Sequence, residues 1–186
     1  MAQTLLYVTR HGETDFNLAG RYCGSTDAPL AQTGVLQAHA LAGRLRGVAF
    51  DAAVSSPMLR SRQTADIVCG ALGIQYSVCA RFAERNLGVY EGLTRDEARE
   101  RYPDLWKRQC TGKPDDAPDN GETIRQACAR IDEGLHWLRG AYQNKRVLLI
   151  CHGFAARAVN RCCKNLSFDE MAGFSLGNCE VAEYTL

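Results

Sequence analysis

Short apolar runs alternate with amphipathic stretches along the whole chain. Leu5 to Thr9 is compact and mostly apolar, the length of a buried strand. A polar, glycine-containing loop follows from Gly12 to about Pro29. Ala38, Leu41, Ala42 and Leu45 then fall at i, i+3, i+4 and i+7, one face of a helix that Gly47 ends. Ala52 to Val54 reads as a second strand. Ser55-Ser56-Pro57 signals a helix start, with Ala65, Val68, Cys69 and Leu72 on the buried face and Gly73 at the end. Gln75 to Cys79 is a third strand and Ala80 to Gly92 an irregular loop. Thr94 and Glu97 have capping-box spacing and open a helix that Pro103 interrupts. Lys113 to Gly121, rich in Pro, Asp and Gly, reads as a surface loop and the best candidate for a mobile segment. Thr123 opens a long helix with Ile124, Ala127, Ile131, Leu135 and Leu138 on one face. Val147 to Cys151 is a strongly apolar strand, a helix follows from Phe154, and Glu180 to Leu186 reads as an edge strand.

Strands alternating with helices predict an α/β fold, a three-layer α/β/α sandwich with a mostly parallel central sheet, in a single domain spanning 1–186. In such sheets ligands bind beyond the carboxyl ends of the strands. Two of the four histidines fall there. His11 follows the first strand and His152 follows the Val147–Cys151 strand, whereas His39 and His136 fall inside helical segments.

The composition narrows the function classes. The net charge is +1, so no global field draws the chain to nucleic acid or an anionic membrane, and attraction for an anion must come from a local cluster. The first ten residues lack the basic region and longer apolar stretch of a signal peptide. No run approaches the roughly 20 apolar residues of a membrane span, so a cytoplasmic location is expected. The nine cysteines are odd in number, none is spaced C-x-x-C, and most sit in apolar runs, which reads as reduced packing residues and not a zinc or redox site. No metal and no cofactor are expected, and oligomeric state is not legible.

Charge and imidazole gather at the strand ends. Arg10-His11-Gly12-Glu13-Thr14 follows the first strand, Ser55-Ser56-Pro57-Met58-Leu59-Arg60 the second, Glu84-Arg85-Asn86-Leu87-Gly88 and Glu91-Gly92 lie in the irregular loop, and Cys151-His152-Gly153 closes the late strand. These residue types suit phosphoryl transfer, in which catalysis is mainly positioning and charge stabilisation. Arginine forks match phosphate oxygens. A neutral imidazole can be a nucleophile, and a protonated carboxyl can serve a leaving oxygen. Two C-x5-R spacings, Cys151 to Arg157 and Cys79 to Arg85, match cysteine-based phosphatases, but with so many cysteines and arginines about one such match arises by chance.

In this order the segments resemble the histidine phosphatase superfamily, also called phosphoglycerate-mutase-like, over nearly the whole chain. Asp27-Ala28-Pro29-Leu30, Gly121-Glu122-Thr123 and Asn178 are weaker echoes. The resemblance makes His11 the nucleophile that becomes phosphorylated. Arg10, Arg60 and His152 would bind the transferring group, and Glu84 would protonate the leaving group and then activate water. Asn17, Cys23, Gly24 and the Gly153 amide would line the phosphate or substrate pocket, although Cys23 departs from the family's usual polar residue. The local pattern alone does not choose Arg60 over Arg62, nor Glu84 over Glu91. The resemblance implies a phosphatase acting on a small phosphorylated metabolite. A phosphoglycerate-type mutase and a non-catalytic phosphate-binding regulator are the alternatives. The short segment between Trp106 and Gly121, with Lys107, Arg108 and Lys113 offset by Asp115, Asp116 and Asp119, argues against the long basic insertion of the mutases.

Overall fold

The computed structural model describes residues 3–186. Five strands, β1 (Leu5–Arg10), β2 (Ala52–Ser55), β3 (Tyr76–Val78), β4 (Arg146–Cys151) and β5 (Val181–Thr185), form one sheet in the order β3-β2-β4-β1-β5. Four are parallel, and β5 runs antiparallel to β1 along one edge. Helices cover both faces, as a parallel sheet requires. On one side Leu6, Val8, Val54, Val147, Leu149 and Cys151 pack beneath α6 (Ile124–Ala141) and α7 (Gly153–Lys164). On the other, Ala53, Leu148 and Ile150 pack beneath α2 (Gln32–Leu45) and α3 (Leu59–Leu72). The alternation along β4 thus feeds two cores, which explains why its sequence is apolar without interruption. A third cluster, Tyr90, Leu93, Ala98, Leu105 and Cys110, lies under α4 (Arg95–Arg101) and α5 (Pro103–Lys107). No helix among the described residues is long and apolar enough to cross a membrane.

Local chemistry departs from the sequence expectation at four points. The 12–29 loop contains a helical turn, α1 (Asp15–Leu18), made by a capping box between Thr14 and Asn17. Helix α3 starts at Leu59, two residues after Pro57, and its first amide is taken by Asp27 from another loop. Pro103 does not merely break a helix, since it occupies the first turn of α5, where its missing N–H costs nothing. The 113–121 segment is tied down, contrary to the expected mobile loop. The Val89 amide donates to the Asp119 carbonyl and the Arg125 amide to the Pro114 carbonyl, while the buried Arg85 guanidinium donates to the carbonyls of Thr111, Asp116 and Glu122.

The topology places three chain turns side by side. β2, β4 and β1 are adjacent and parallel, so Ser56, His152 and His11 emerge at one edge. The Ser56 amide donates to the Ile150 carbonyl and the His11 amide to the Cys151 carbonyl, both at 3.0 Å, so the ladder continues up to the site.

Two glycines let α2 approach the turn after His11. A Cβ on Gly34 would stand 2.1 Å from the Glu13 carbonyl oxygen, and one on Gly12 would stand 2.4 Å from the Gly34 carbonyl oxygen. Backbone contacts cannot yield as a flexible side chain can. Gly34→Ala is therefore expected to cost about 1–3 kcal/mol, the usual range for overpacking. Gly43→Ala, in the same helix with open space around it, should stabilise by up to about 1 kcal/mol through helix propensity. Thermal unfolding of the two variants measures both signs, and a neutral Gly34→Ala would show that the contact relaxes freely.

Candidate active site

His11 sits at the end of β1 and is buried, with 3% of its surface exposed. Its Nδ1 lies 2.6 Å from the Gly12 carbonyl oxygen. A carbonyl only accepts, so Nδ1 carries the proton and Nε2 carries the lone pair. That lone pair accepts from Arg60 Nε at 3.2 Å. The backbone that carries the ring is held as well, since Asn178 Nδ2 donates to the His11 carbonyl at 2.8 Å and the Gly12 amide donates to Thr64 Oγ1 at 3.0 Å.

Arg60 comes from the first turn of α3 and is fully buried. Its Nη1 donates to the Thr26 carbonyl at 2.8 Å, and its Nη2 to the carbonyls of Gly24 (2.8 Å) and Cys23 (3.3 Å). Arg62, the rival by sequence pattern, is an electrostatic neighbour of Tyr76 on β3 and makes no hydrogen bond to His11. The same 23–26 loop is held on its N–H side by Glu91. That carboxylate accepts from the amides of Gly24, Ser25 and Thr26, from the Thr26 hydroxyl and from the Leu87 amide, at 2.6–3.1 Å. Burial opposes its ionised form, but these hydrogen bonds prevail and hold its pKa below the ordinary carboxylate value. Glu91 is thus an ionised anchor with its oxygens committed. Gly24 has to be glycine, because a Cβ would collide with the Arg85 carbonyl and the Glu91 carboxylate.

His152 ends β4 and is fully buried, with Nε2 2.6 Å from Ser56 Oγ. Its ring centroid is 5.2 Å from that of His11, the planes inclined at 61°. Arg10 lies over Gly153, whose absent Cβ would be 3.6 Å from the guanidinium. Arg10 Nε and His152 Nδ1 are both buried without a protein partner. Buried polar groups are rarely left unpaired, and two such atoms beside the same pair of histidines mark where a ligand would be held. Glu84 brings its carboxylate to the start of α7, accepting from the Phe154 amide at 3.1 Å and from the Arg85 amide at 2.9 Å.

The structure therefore gathers Arg10, His11, Arg60, Glu84, His152 and Gly153 from four parts of the chain. It places the remaining sequence candidates in supporting positions. The Asn17 side-chain oxygen accepts from the Thr14 amide and hydroxyl, both at 3.1 Å, so it caps α1. Cys23 Sγ donates to the Thr26 carbonyl at 3.6 Å, and burial pushes its thiol up. The Gly24 amide belongs to Glu91 and is not free to meet a phosphate. Sequence reasoning missed Ser56 as the partner of His152, although the residue stood in the quoted Ser-Ser segment. It also missed Arg130, and it quoted Arg85 and Glu91 without their anchoring roles, which no local spacing reveals. Neither C-x5-R spacing forms a site. Cys151 is fully buried under the sheet with its thiol pushed far up by burial, and Arg85 turns its guanidinium to the 111–122 carbonyls.

The histidine phosphatase superfamily (branch 1) description matches residues 6–186. The uncharacterized phosphatase PhoE of Bacillus subtilis is 33% identical over 184 residues, covering 90% of this chain and 90% of that protein. The probable phosphoglycerate mutase GpmB of Escherichia coli is 34% identical over 151 residues, covering 81% of this chain and 70% of that protein. Among solved structures, a mycobacterial glucosyl-3-phosphoglycerate phosphatase complexed with VO3 superposes with a TM-score of 0.86 at 25% identity, covering 98% of this chain and 90% of that one.

Burial, then Arg60 and Arg10, push the His11 proton affinity down to a pKa of about 3, the Gly12 carbonyl only partly opposing. Burial and the same arginines push His152 well below its ordinary value. Because the shift is downward, the neutral imidazole persists as pH falls through 6.5 and is lost only on approach to 3. Nitrogen-15 spectra of the substrate-free protein should show His11 as the neutral Nδ1–H tautomer at both pH 7 and pH 5. A titration midpoint near 6.5 would contradict this electrostatic picture.

Proposed function

The chain belongs to the histidine phosphatase superfamily, and from that premise we propose that it is a metal-independent phosphatase that hydrolyses small phosphate monoesters through a phosphohistidine on His11. One observation carries the reading. His11 is buried and neutral, its Nε2 lone pair faces the Arg60 guanidinium at 3.2 Å, and Arg10, whose Nε has no protein partner, adds its positive charge to the same imidazole. A neutral nucleophile between two guanidinium groups is what a phosphoryl dianion requires.

The steps follow from these positions. The phosphoryl oxygens settle on Arg10, Arg60 and His152. The Nε2–P bond forms as the bond from phosphorus to the ester oxygen breaks, and Glu84 passes its proton to that oxygen. A water molecule then attacks phosphorus and gives a proton to Glu84. The P–N bond breaks, releasing inorganic phosphate and leaving His11 neutral. The two arginines supply the positive charge that a metal supplies elsewhere.

Hydrolysis is favoured over mutase chemistry by the 107–121 segment. Most of its charges are paired at short range, Arg108 with Asp116 at 3.1 Å, Lys107 with Asp104 at 3.9 Å and Asp115 with Arg125 at 2.6 Å, which leaves Lys113 as its one basic side chain without an ion pair among the described residues. Such a segment offers little free positive charge to grip a second phosphate or to seal out water. The phosphatase and mutase names among the relatives leave both readings within the family.

Two measurements test the proposal. Turnover in EDTA with a labelled monoester should leave acid-labile, base-stable phosphate on His11, and His11→Ala should lower kcat by at least about 1,000-fold. Wild-type rates that collapse in EDTA and return with Mg²⁺, or an active His11→Ala, would end this mechanism. Phosphorus NMR of 3-phosphoglycerate primed with 2,3-bisphosphoglycerate should show free phosphate growing faster than 2-phosphoglycerate, and the reverse order would favour the mutase.

A further inference from the structure

Glu84 lies in a stretch with no regular secondary structure, just after a short 3₁₀ turn (Ala80–Phe82). Its two carboxylate contacts, to the amides of Arg85 and Phe154, orient the carboxyl group. They do not explain what holds the backbone that carries it. That backbone packs on α6, where a Cβ at Gly134 would stand 2.8 Å from the Phe82 ring and 3.1 Å from Arg81 Cβ. One turn earlier on α6 stands Arg130.

Arg130 commits its whole donor set here. Nη1 donates to the Arg81 carbonyl at 2.9 Å and the Ala83 carbonyl at 3.0 Å, and Nη2 reaches the Glu84 carbonyl at 3.5 Å. Nε and Nη2 grip the Glu122 carboxylate at 3.0 and 2.7 Å. A guanidinium has five N–H donors in a rigid fork, and these contacts use all five. The pair is largely sheltered, the side chains being 25% and 20% exposed, so it is less weakened by solvent than a surface ion pair. Glu122 is fixed in turn, because its amide donates to the Asn86 carbonyl and its carbonyl accepts from Arg85. The loop bearing Glu84 is therefore stapled through three carbonyls, those of Arg81, Ala83 and Glu84, to a helix that also forms the core.

We propose that Arg130, held by Glu122, is a positioning residue that sets the reach of the Glu84 carboxyl group to the leaving oxygen. Arg130 acts through Glu84 and does not touch the phosphoryl group. The inference rests on the reading of Glu84 as proton donor. Proton transfer needs heavy atoms within hydrogen-bond reach, and an ångström of drift in a loop costs roughly 100-fold where the donor matters and little where it does not.

The test compares a poor leaving group, 2-glycerophosphate, with a good one, p-nitrophenyl phosphate, whose leaving oxygen scarcely needs a proton. Glu84→Gln should lose far more on the first. Arg130→Met should lose about 10–100-fold in kcat on 2-glycerophosphate and less than about threefold on p-nitrophenyl phosphate. Arg130→Lys, which keeps the charge but not the fork, should fall between it and the wild type. In a Glu84→Gln background, Arg130→Met should add less than about threefold on 2-glycerophosphate, because two residues acting through one carboxyl group are not additive. Equal losses on both substrates for Arg130→Met, or a full additional loss in the double variant, would overturn the positioning role. If Arg130→Met does not fold, the split in Arg130→Lys decides, and an absent split overturns the proposal. If Glu84→Gln itself loses equally on both substrates, the proton-donor reading falls first and this inference falls with it.

Discussion

Arg60 is a fully buried cation with no carboxylate hydrogen-bonded to it, and the site is organised around satisfying it. Burying a charge is costly unless every donor is met. Here four of the five N–H groups are met, the carbonyls of the 23–26 loop taking one from Nη1 and both from Nη2 and His11 taking Nε, which leaves one Nη1 hydrogen for a ligand. Those carbonyls can converge only because Glu91 gathers the amides of the same loop from the other side. One short peptide stretch thus lies between a carboxylate on its N–H groups and a guanidinium on its C=O groups. The narrow gap excludes any side chain at Gly24.

This arrangement also sets the chemistry of the two imidazoles. Both lie in the interior next to fixed positive charge, so both are driven toward the neutral form. A neutral His11 with its proton held on Nδ1 by the Gly12 carbonyl has a single productive lone pair. The same positive field that removes its proton would attract a phosphoryl dianion, so in the proposed mechanism the neutral nucleophile and the attraction of substrate share one cause.

The side of the site that carries Glu84 is built differently. Arg10, His11, Ser56 and His152 stand at the ends of adjacent parallel strands, where the sheet determines their spacing. Glu84 stands on a loop, and a loop holds position only through contacts elsewhere. Arg130, Glu122, Arg85 and the 111–122 carbonyls supply those contacts. The segment that composition marks as mobile is for this reason part of the scaffold, its carbonyls serving as acceptors for a buried arginine.

The amino-acid order by itself determined the strands and helices and, through them, the positions of His11 and His152 at the sheet edge. Apolar periodicity at Ala38, Leu41, Ala42 and Leu45, and at Ile124, Ala127, Ile131, Leu135 and Leu138, is a local property that burial converts directly into helix faces. The unbroken apolar run of Val147–Cys151 likewise marks a strand covered on both sides. Tertiary structure decided what no spacing encodes. Arg60 and Arg62 are two residues apart and equally basic, yet only one falls on the face of α3 turned to His11. Glu84 and Glu91 share a loop, yet only Glu91 meets five converging donors that keep it ionised and committed. Asn17 is expected to line the pocket, and the structure shows its Oδ1 closing the capping box with Thr14 at the start of α1. In each case the deciding quantity is the direction of a side chain relative to partners distant in sequence. That direction exists only after the sheet has brought those partners together.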